Sequence, residues 1–283
     1  MSNDPKVQIL LATFNGEKFL EEQIASILSQ SYKNWHLIVH DDGSSDATPA
    51  IIRKAKNENP SRITIIEDDF ITKSAKKNFK HLISHATAPY IMFCDQDDVW
   101  MPNKISATLS RMIEVEKKHP KNPVIIHTDL FVVDEHLNFI SKSMFEYQKL
   151  PKKIDKLDQI LVLNNVTGCT MMLNTMATRL GQTLPDEAIM HDWWIAIKTI
   201  QTGGVINLLD EPTIKYRQHS KNTLGSKKFN FRLIYKKITD LSQLKNQIIQ
   251  AKKAEPTTNT INWLTKKIIV NLRRALLPTQ KLK

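Results

Sequence analysis

Glycine is scarce in this chain, with seven residues in 283, about a third of ordinary usage. Neither G-x-G-x-x-G nor G-x-x-x-x-G-K-[ST] occurs, so no dinucleotide fingerprint and no P-loop is available to hold a phosphate. Only two cysteines are present, Cys94 and Cys169, both in apolar surroundings. They rule out a disulfide framework and a cysteine-based zinc array, and read as free buried thiols. H-E-x-x-H is missing too. No apolar run reaches the roughly eighteen residues of a membrane span. Met1-Ser2-Asn3-Asp4-Pro5 shows neither a basic nor an apolar leader segment, which predicts a cytoplasmic protein.

Hydrophobic content of 41% is that of an ordinary globular protein. The length suits one large domain, or one domain with an appendage. The net charge of +11 is unevenly placed. From Lys221 to Lys283, fifteen Lys and Arg meet only Asp240 and Glu255; before Lys221, 25 basic residues meet 27 acidic ones. The two parts are therefore expected to meet different partners. Nucleic acid is not expected, because the basic tail lacks interleaved aromatics and any RRM-like or helix-turn-helix pattern.

What the chain does have is alternation. Val7–Ala12, Trp35–His40, Ile63–Ile66 and Tyr90–Phe93 are short apolar runs that read as strands. Between them lie segments with apolar residues at helical spacing. The first carries Phe19, Leu20, Ile24, Ile27 and Leu28; Asp46 can cap the second, through Ile51, Ile52 and Ala55. A third spans Ala75–Ala86, and Ile105, Leu109, Met112 and Ile113 mark a fourth. Such alternation predicts an α/β fold, a mostly parallel sheet flanked by helices. Further on, Val124–His127, Leu130–Val133, Thr167–Leu173, Val205–Leu209 and Thr213–Tyr216 read as strands, and Asp155–Leu163 and Ala188–Gln201 as helices.

Two predicted strands run straight into carboxylates. Trp35–His40 leads into Asp41-Asp42-Gly43-Ser44-Ser45-Asp46, and Tyr90–Cys94 into Asp95-Gln96-Asp97-Asp98. Carboxylates this close repel, and need a cation or a set of donors to stay ionised. In a parallel sheet both strand ends fall on one side, where open α/β sheets bind ligands. A hard divalent cation carrying a phosphate-bearing ligand fits both facts; a polar turn of solvated aspartates is the other reading. Gly43, Gly168 and Gly225 stand in motif stretches, where they would serve backbone geometry or the close approach of a ligand.

These acidic stretches, with Thr13-Phe14-Asn15, His191-Asp192-Trp193-Trp194 and Tyr216-Arg217-Gln218-His219, keep an order and spacing from Val7 to Gly225 that resembles the family 2 inverting glycosyltransferases of GT-A fold. Asp95–Trp100 and Tyr216–Asn222 resemble its bacterial rhamnosyltransferase-like branch in particular. The resemblance implies a GT-A domain over residues 1–225. It implies transfer of a sugar, rhamnose from dTDP-rhamnose or another dTDP- or UDP-linked donor, to a glycan or lipid-linked acceptor, with Mg2+ or Mn2+. Asp42 would accept the N–H of a pyrimidine, with Phe14 on the ring and Ala12 and Asn15 beside it. Asn78 would meet the base or diphosphate, and Asp95 the ribose, next to Gln96. Asp97 would hold the metal, joined by His219. Gly168 and Cys169 would line the donor-sugar pocket.

Asp192 is the implied base. Inverting transfer needs one carboxylate to take the acceptor hydroxyl's proton while the cation neutralises the departing nucleoside diphosphate. Trp193 and Trp194 would exclude water and face a sugar ring. The same residues also have plain structural readings. Asp41 and Asp42 suit a turn, Asn78 a helix, His219 a solvated loop, and Asp192 the first turn of a helix, favoured by its dipole.

Two other functions share some of these residues. Asp95-Gln96-Asp97-Asp98-Val99 fits the D-x-D-x-[TV] motif of haloacid-dehalogenase-type phosphatases. That motif belongs on a first strand, and here three predicted strands precede it. A non-catalytic nucleotide- or glycan-binding protein would have no use for Asp192. The tail adds a separate pattern: Ile234, Ile238, Leu241, Leu244 and Ile248, then Ile261, Leu264, Ile268, Leu272 and Leu276, repeat at helical spacing among lysines and arginines. Residues 226–283 are thus expected as basic amphipathic helices. They suit an anionic membrane surface, which would place a cytoplasmic protein at the inner face, and equally core packing or a homodimer.

Overall fold

The computed structural model describes residues 4–219, 229 and 240–276. Strands β1 (Val7–Thr13), β2 (Trp35–Asp41), β3 (Ile63–Ile65) and β4 (Tyr90–Cys94) form where the apolar runs predict them. They pair in parallel in the order β3-β2-β1-β4. Helices α1 (Leu20–Leu28), α2 (Thr48–Glu58) and α3 (Ala75–Ser84) connect them, and Asp46 accepts from the Thr48 amide at the start of α2 (2.9 Å). Central β1 is buried on both sides. Leu10 packs with Phe79 and Leu82 of α3, whereas Val7, Ile9 and Leu11 pack with α1, α2 and α4 (Lys104–Lys118). A strand covered on both faces needs no polar alternation, which is why it reads as one apolar run.

Beyond β4 the sheet becomes mixed. β5 (Val99–Trp100), β6 (Val124–Val133), β7 (Phe139–Ser141), β8 (Met172–Asn174) and β9 (Val205–Arg217) continue it as β4-β8-β6-β9-β5, with β7 beside β6. β8 is antiparallel to both β4 and β6, and β9 is parallel to β6. The expected parallel order therefore describes the N-terminal half. Two predicted strand pairs are single strands here. Asp129 and Pro212, which stand between them in sequence, lie opposite each other at a register shift between β6 and β9. Asp129 turns its carboxylate onto the Leu130 and Met144 amides (2.8 and 2.9 Å), and Pro212 has no N–H to pair.

The remaining helices are α5 (Met144–Gln148), α6 (Leu157–Ile160), α7 (Thr175–Gln182) and α8 (His191–Gln201). The helix expected over 155–163 is thus only one turn, and α8 begins three residues later than its apolar run. A 3-10 turn, Gly168–Thr170, replaces the first part of the strand predicted over 167–173.

Two C-terminal helices follow, α9 (Leu241–Ala254) and α10 (Thr260–Leu276). Gly225, Ile234 and Ile238 lie outside the described residues. Leu244, Ala251, Ala254 and Trp263 join the core cluster that holds α3 and α8, so packing continues across the break in charge. Trp263 donates its indole N–H to the Leu161 carbonyl just after α6 (3.0 Å). Trp263→Ala should cost about 3–5 kcal/mol, as for large buried aromatics, and chemical denaturation would show it. A cost under about 1 kcal/mol would mean that α10 is only loosely seated.

Of the expected apolar face of α10 only Leu264 packs against the core. Trp263, Lys267, Asn271 and Arg274 are buried, whereas Ile261, Ile268, Leu272 and Leu276 are exposed. The cause lies underneath. The ends of α5 and α6 present main-chain carbonyls without helical partners, and such carbonyls favour cations. Lys267 donates to the Val162 carbonyl, and Arg274 to those of Gln148 (2.6 Å) and Lys149 (3.1 Å).

Candidate active site

A cleft of about 600 Å³ opens at the C-terminal ends of β1, β2 and β4, closed on the far side by the Gly168 turn and the start of α8. Its volume suits a small-molecule ligand. Ala12, Phe14, Asp42, Asn78, Asp95, Gln96, Asp97, Gly168 and Asp192 all line it, with His191 and Tyr216. Three segments far apart in sequence therefore meet as the parallel strand ends require.

At one end stand Phe14 and Asp42. Phe14 is held by a two-way amide clamp: its N–H donates to Gln96 Oε1 (2.8 Å), and Gln96 Nε2 donates back to its carbonyl (2.9 Å). Phe14 is 39% exposed and lines the cleft, within reach of a planar ligand. Asp42 is 1% exposed, and both its oxygens accept from the following loop, Thr72 N at 2.6 Å and Ser74 N at 2.7 Å. A base N–H would share these oxygens' remaining lone pairs. Asp41, by contrast, is a turn former, accepting from Thr13 Oγ1 and from Ser44 N and Oγ. Gly43 lies at φ +80°, a conformation that favours glycine.

The loop that grips Asp42 is itself braced in a way the sequence did not disclose. Asn78 Nδ2 donates to the His40 carbonyl (3.3 Å), leaving its Oδ1 to meet His40 Nδ1 (2.8 Å). His40 Nε2 faces Asp68 (3.3 Å), which also takes His81 Nε2 (2.7 Å), and Phe70 stacks on His81 at 4.2 Å. Asn78 is thus a wall residue with its polar atoms committed. Asn15 departs from its expected role: at φ 47° it turns the chain and accepts from Ser45 N (2.9 Å), serving the loop rather than the cleft wall.

Asp95, Asp97 and Asp98 separate by depth. Asp98 is fully buried, accepts from the Arg217 amide (3.2 Å), and has its carboxyl pushed well up by burial. Lys104, also sealed and lying over Trp100 at 4.7 Å, is drawn down to about 8 by burial. Arg217 pins the turn from behind, its Nε donating to the Asp97 carbonyl (2.8 Å), with an ion pair to the half-exposed Glu22. Neither Lys104 nor His40 carries a local motif, and Arg217 stands in the Tyr216–His219 stretch without a role read for it there. Asp95 is raised to about 7 by burial, then by Asp97 and Asp192. Asp97 meets His219 Nε2 at 2.8 Å.

A raised carboxyl beside two others, with an imidazole in reach of the third, is a donor set that fits a hard divalent cation. A second triplet, Asp95, Asp98 and Cys169, brings its ligand atoms within 4.8 Å. Asp98 and Cys169 are sealed from the cleft, whereas Asp95 and Asp97 line it, and Asp97 also meets His219. Cys169 is therefore not a pocket residue: its thiol packs in the core beneath Asp98 and is pushed well up by burial.

Opposite the acidic turn, Asp192 occupies the first turn of α8. Its Oδ2 accepts from Gly168 N (3.1 Å) and its Oδ1 from Trp193 N (2.6 Å). Burial nevertheless prevails over these bonds and raises its carboxyl to about 6. Gly168 is required by proximity, since a Cβ there would lie 2.9 Å from His191 Nε2. Trp193 and Trp194 do not face a sugar. Successive helix positions turn by about 100°, which carries both rings into the core, and Trp193 donates to the Ile160 carbonyl (2.6 Å).

Known proteins resemble this chain in sequence and fold. The family model described as glycosyl transferase family 2 matches residues 8–181. EpsE of Bacillus subtilis (strain 168) is 36% identical over 135 residues, 48% of this chain and 46% of EpsE; the match thus spans less than half the length of that relative. The dTDP-rhamnosyl transferase RfbG of Shigella flexneri is 26% identical over 239 residues, covering 81% of this chain and 78% of RfbG. The crystal structure of S. aureus TarS 1-349 in complex with UDP-GlcNAc has a TM-score of 0.62 at 16% identity, over 95% of this chain and 72% of that one. That likeness shows a common fold, the GT-A arrangement of a mixed sheet flanked by helices.

Proposed function

The chain belongs to glycosyl transferase family 2, and we propose that it transfers a sugar from a nucleoside-diphosphate donor to an acceptor hydroxyl with inversion. The observation that carries this reading is one cleft with an acidic turn on one wall and a desolvated carboxylate, Asp192, on the other. In this reading Phe14 stacks on the base, Asp42 orients it beside the wall that Asn78 forms, and Asp95 with Gln96 meets the ribose. Asp97 and His219 would hold Mg2+ or Mn2+. When bound, such a cation neutralises the charge on the departing diphosphate. Asp192 takes the acceptor hydroxyl's proton as that oxygen attacks the anomeric carbon. The amides of Gly168 and Trp193 keep its carboxylate aimed, and the apolar wall behind it limits competing water.

The proposed donor is dTDP-rhamnose, supported by the likeness to RfbG along most of both chains, and the proposed acceptor is a cell-surface glycan or its lipid-linked precursor. Residues 1–225 would form the transfer domain and 226–283 its basic extension, in a protein working at the cytoplasmic side of the membrane. A donor panel that includes dTDP-rhamnose, UDP-glucose and UDP-GlcNAc, read as nucleoside diphosphate released with acceptor present, tests this. Release from dTDP-rhamnose above the others supports the donor; release from none removes the transferase reading.

The base reading also fixes a pH profile. Asp192 works ionised, and its raised pKa means that activity is lost as pH falls through about 6. Below that point turnover should drop about tenfold per pH unit. A profile flat down to pH about 4.5 would place the proton acceptor elsewhere, since an ordinary carboxylate titrates near 4.

A further inference from the structure

The outward face of α10 is apolar. Ile261, Ile268, Ile269, Leu272 and Leu276 stand on it, from 40% exposed at Ile269 to 83% at Leu276. A helix on a globular surface ordinarily turns this stripe inward. Here it cannot, because Lys267 and Arg274 on the opposite face are committed to the carbonyls of Val162, Gln148 and Lys149. Rolling the helix over would orphan these three carbonyls and two buried cations. On α9, Leu241 and Ile249 are exposed as well, among Lys245 and Lys252. A cavity of about 190 Å³ beside α10 is lined by Ile154, Leu163 and Val270 together with Lys153, Arg273 and Arg274.

We propose that this face rests on an anionic phospholipid surface, with α10 lying in the plane of the headgroups and its stripe turned toward the acyl chains. Charge decides the occupant. Of the seven Lys and Arg among the described residues 240–276, Lys253 and Lys266 pair with Glu187 and Asp158 and Lys267 and Arg274 are buried, which leaves Lys245, Lys252 and Arg273 exposed. Anionic headgroups attract such side chains. A second copy of the chain, paired across α10, would add the exposed Arg273 side chains of both copies to one seam. The face lies on a membrane rather than crossing one, since no described helix is long and apolar enough to span it. It stands on the transferase reading only in what it implies for the acceptor, one presented at a lipid surface; lipid binding itself does not depend on that reading.

The full chain is sedimented with vesicles of phosphatidylcholine, with and without phosphatidylglycerol, at low and high salt. Wild type should pellet with the anionic vesicles at low salt. The double variant I268E/L272E should partition roughly tenfold less or weaker still, because its charges enter the apolar layer. Both positions are exposed, so its melting temperature and its affinity for dTDP with Mn2+ should match wild type. Equal pelleting of wild type and variant overturns the proposal, as does no pelleting by wild type. A wild-type dimer that this variant dissociates, seen by light scattering, would assign the stripe to a second copy and overturn it too. Lipid binding without nucleotide binding would count against the transferase reading alone.

Discussion

Asp192→Asn should lower turnover by ~10²–10⁴ at saturating donor, the range for removal of a catalytic acid or base, with donor affinity nearly unchanged. The substitution keeps size and shape. It retains one acceptor oxygen where the carboxylate uses two, for Gly168 N and Trp193 N. One of these bonds is therefore lost, at about 1 kcal/mol in stability, too little to unfold a domain of this size. The loss in rate thus reports chemistry. Single-turnover kinetics with donor in excess separates the proton-transfer step from product release. Near-wild-type turnover in this variant would show that Asp192 is the first-turn acid of α8 and nothing more.

Asp97→Ala should abolish the metal dependence of donor binding. In calorimetry, the affinity of wild type for a nucleoside diphosphate with Mn2+ should exceed that with chelator by roughly tenfold or more, about 1.4 kcal/mol per factor of ten. The variant should show the weaker value under both conditions. His219 alone does not replace it, because an imidazole without a carboxylate suits a hard cation poorly. Removing Asp97 also relieves Asp95, whose carboxyl is held up by burial first and by Asp97 next. Asp95 would then ionise more readily, so a variant that kept full metal dependence would point to Asp95 as the true ligand.

The sequence carries the part of this protein that repeats with short period or sits at strand ends. Val7–Thr13 and Tyr90–Cys94 are buried on both faces, and their uninterrupted apolar runs say so; the carboxylates after β2 and β4 then share a cleft because parallel strands end on the same side. What the sequence hides is direction and distance. Trp193 stands one residue from Asp192, yet the turn of a helix sends it into the core. Cys169 follows Gly168, yet the 3-10 turn buries its thiol. His40, Asp68 and His81 come together only through tertiary packing, as do Arg217 and Glu22. The orientation of α10 was equally illegible. Its apolar stripe is plain in sequence, but the carbonyls at the ends of α5 and α6, which claim its cationic side, are more than a hundred residues away.

The most direct test is a crystal of the protein grown with dTDP and Mn2+, with data collected where manganese scatters anomalously. The account predicts one strong anomalous peak at the Asp97 carboxylate, between it and the diphosphate, with the pyrimidine on Phe14 beside Asp42. Manganese seated instead among Asp95, Asp98 and Cys169, or a nucleotide bound away from Phe14, would contradict it.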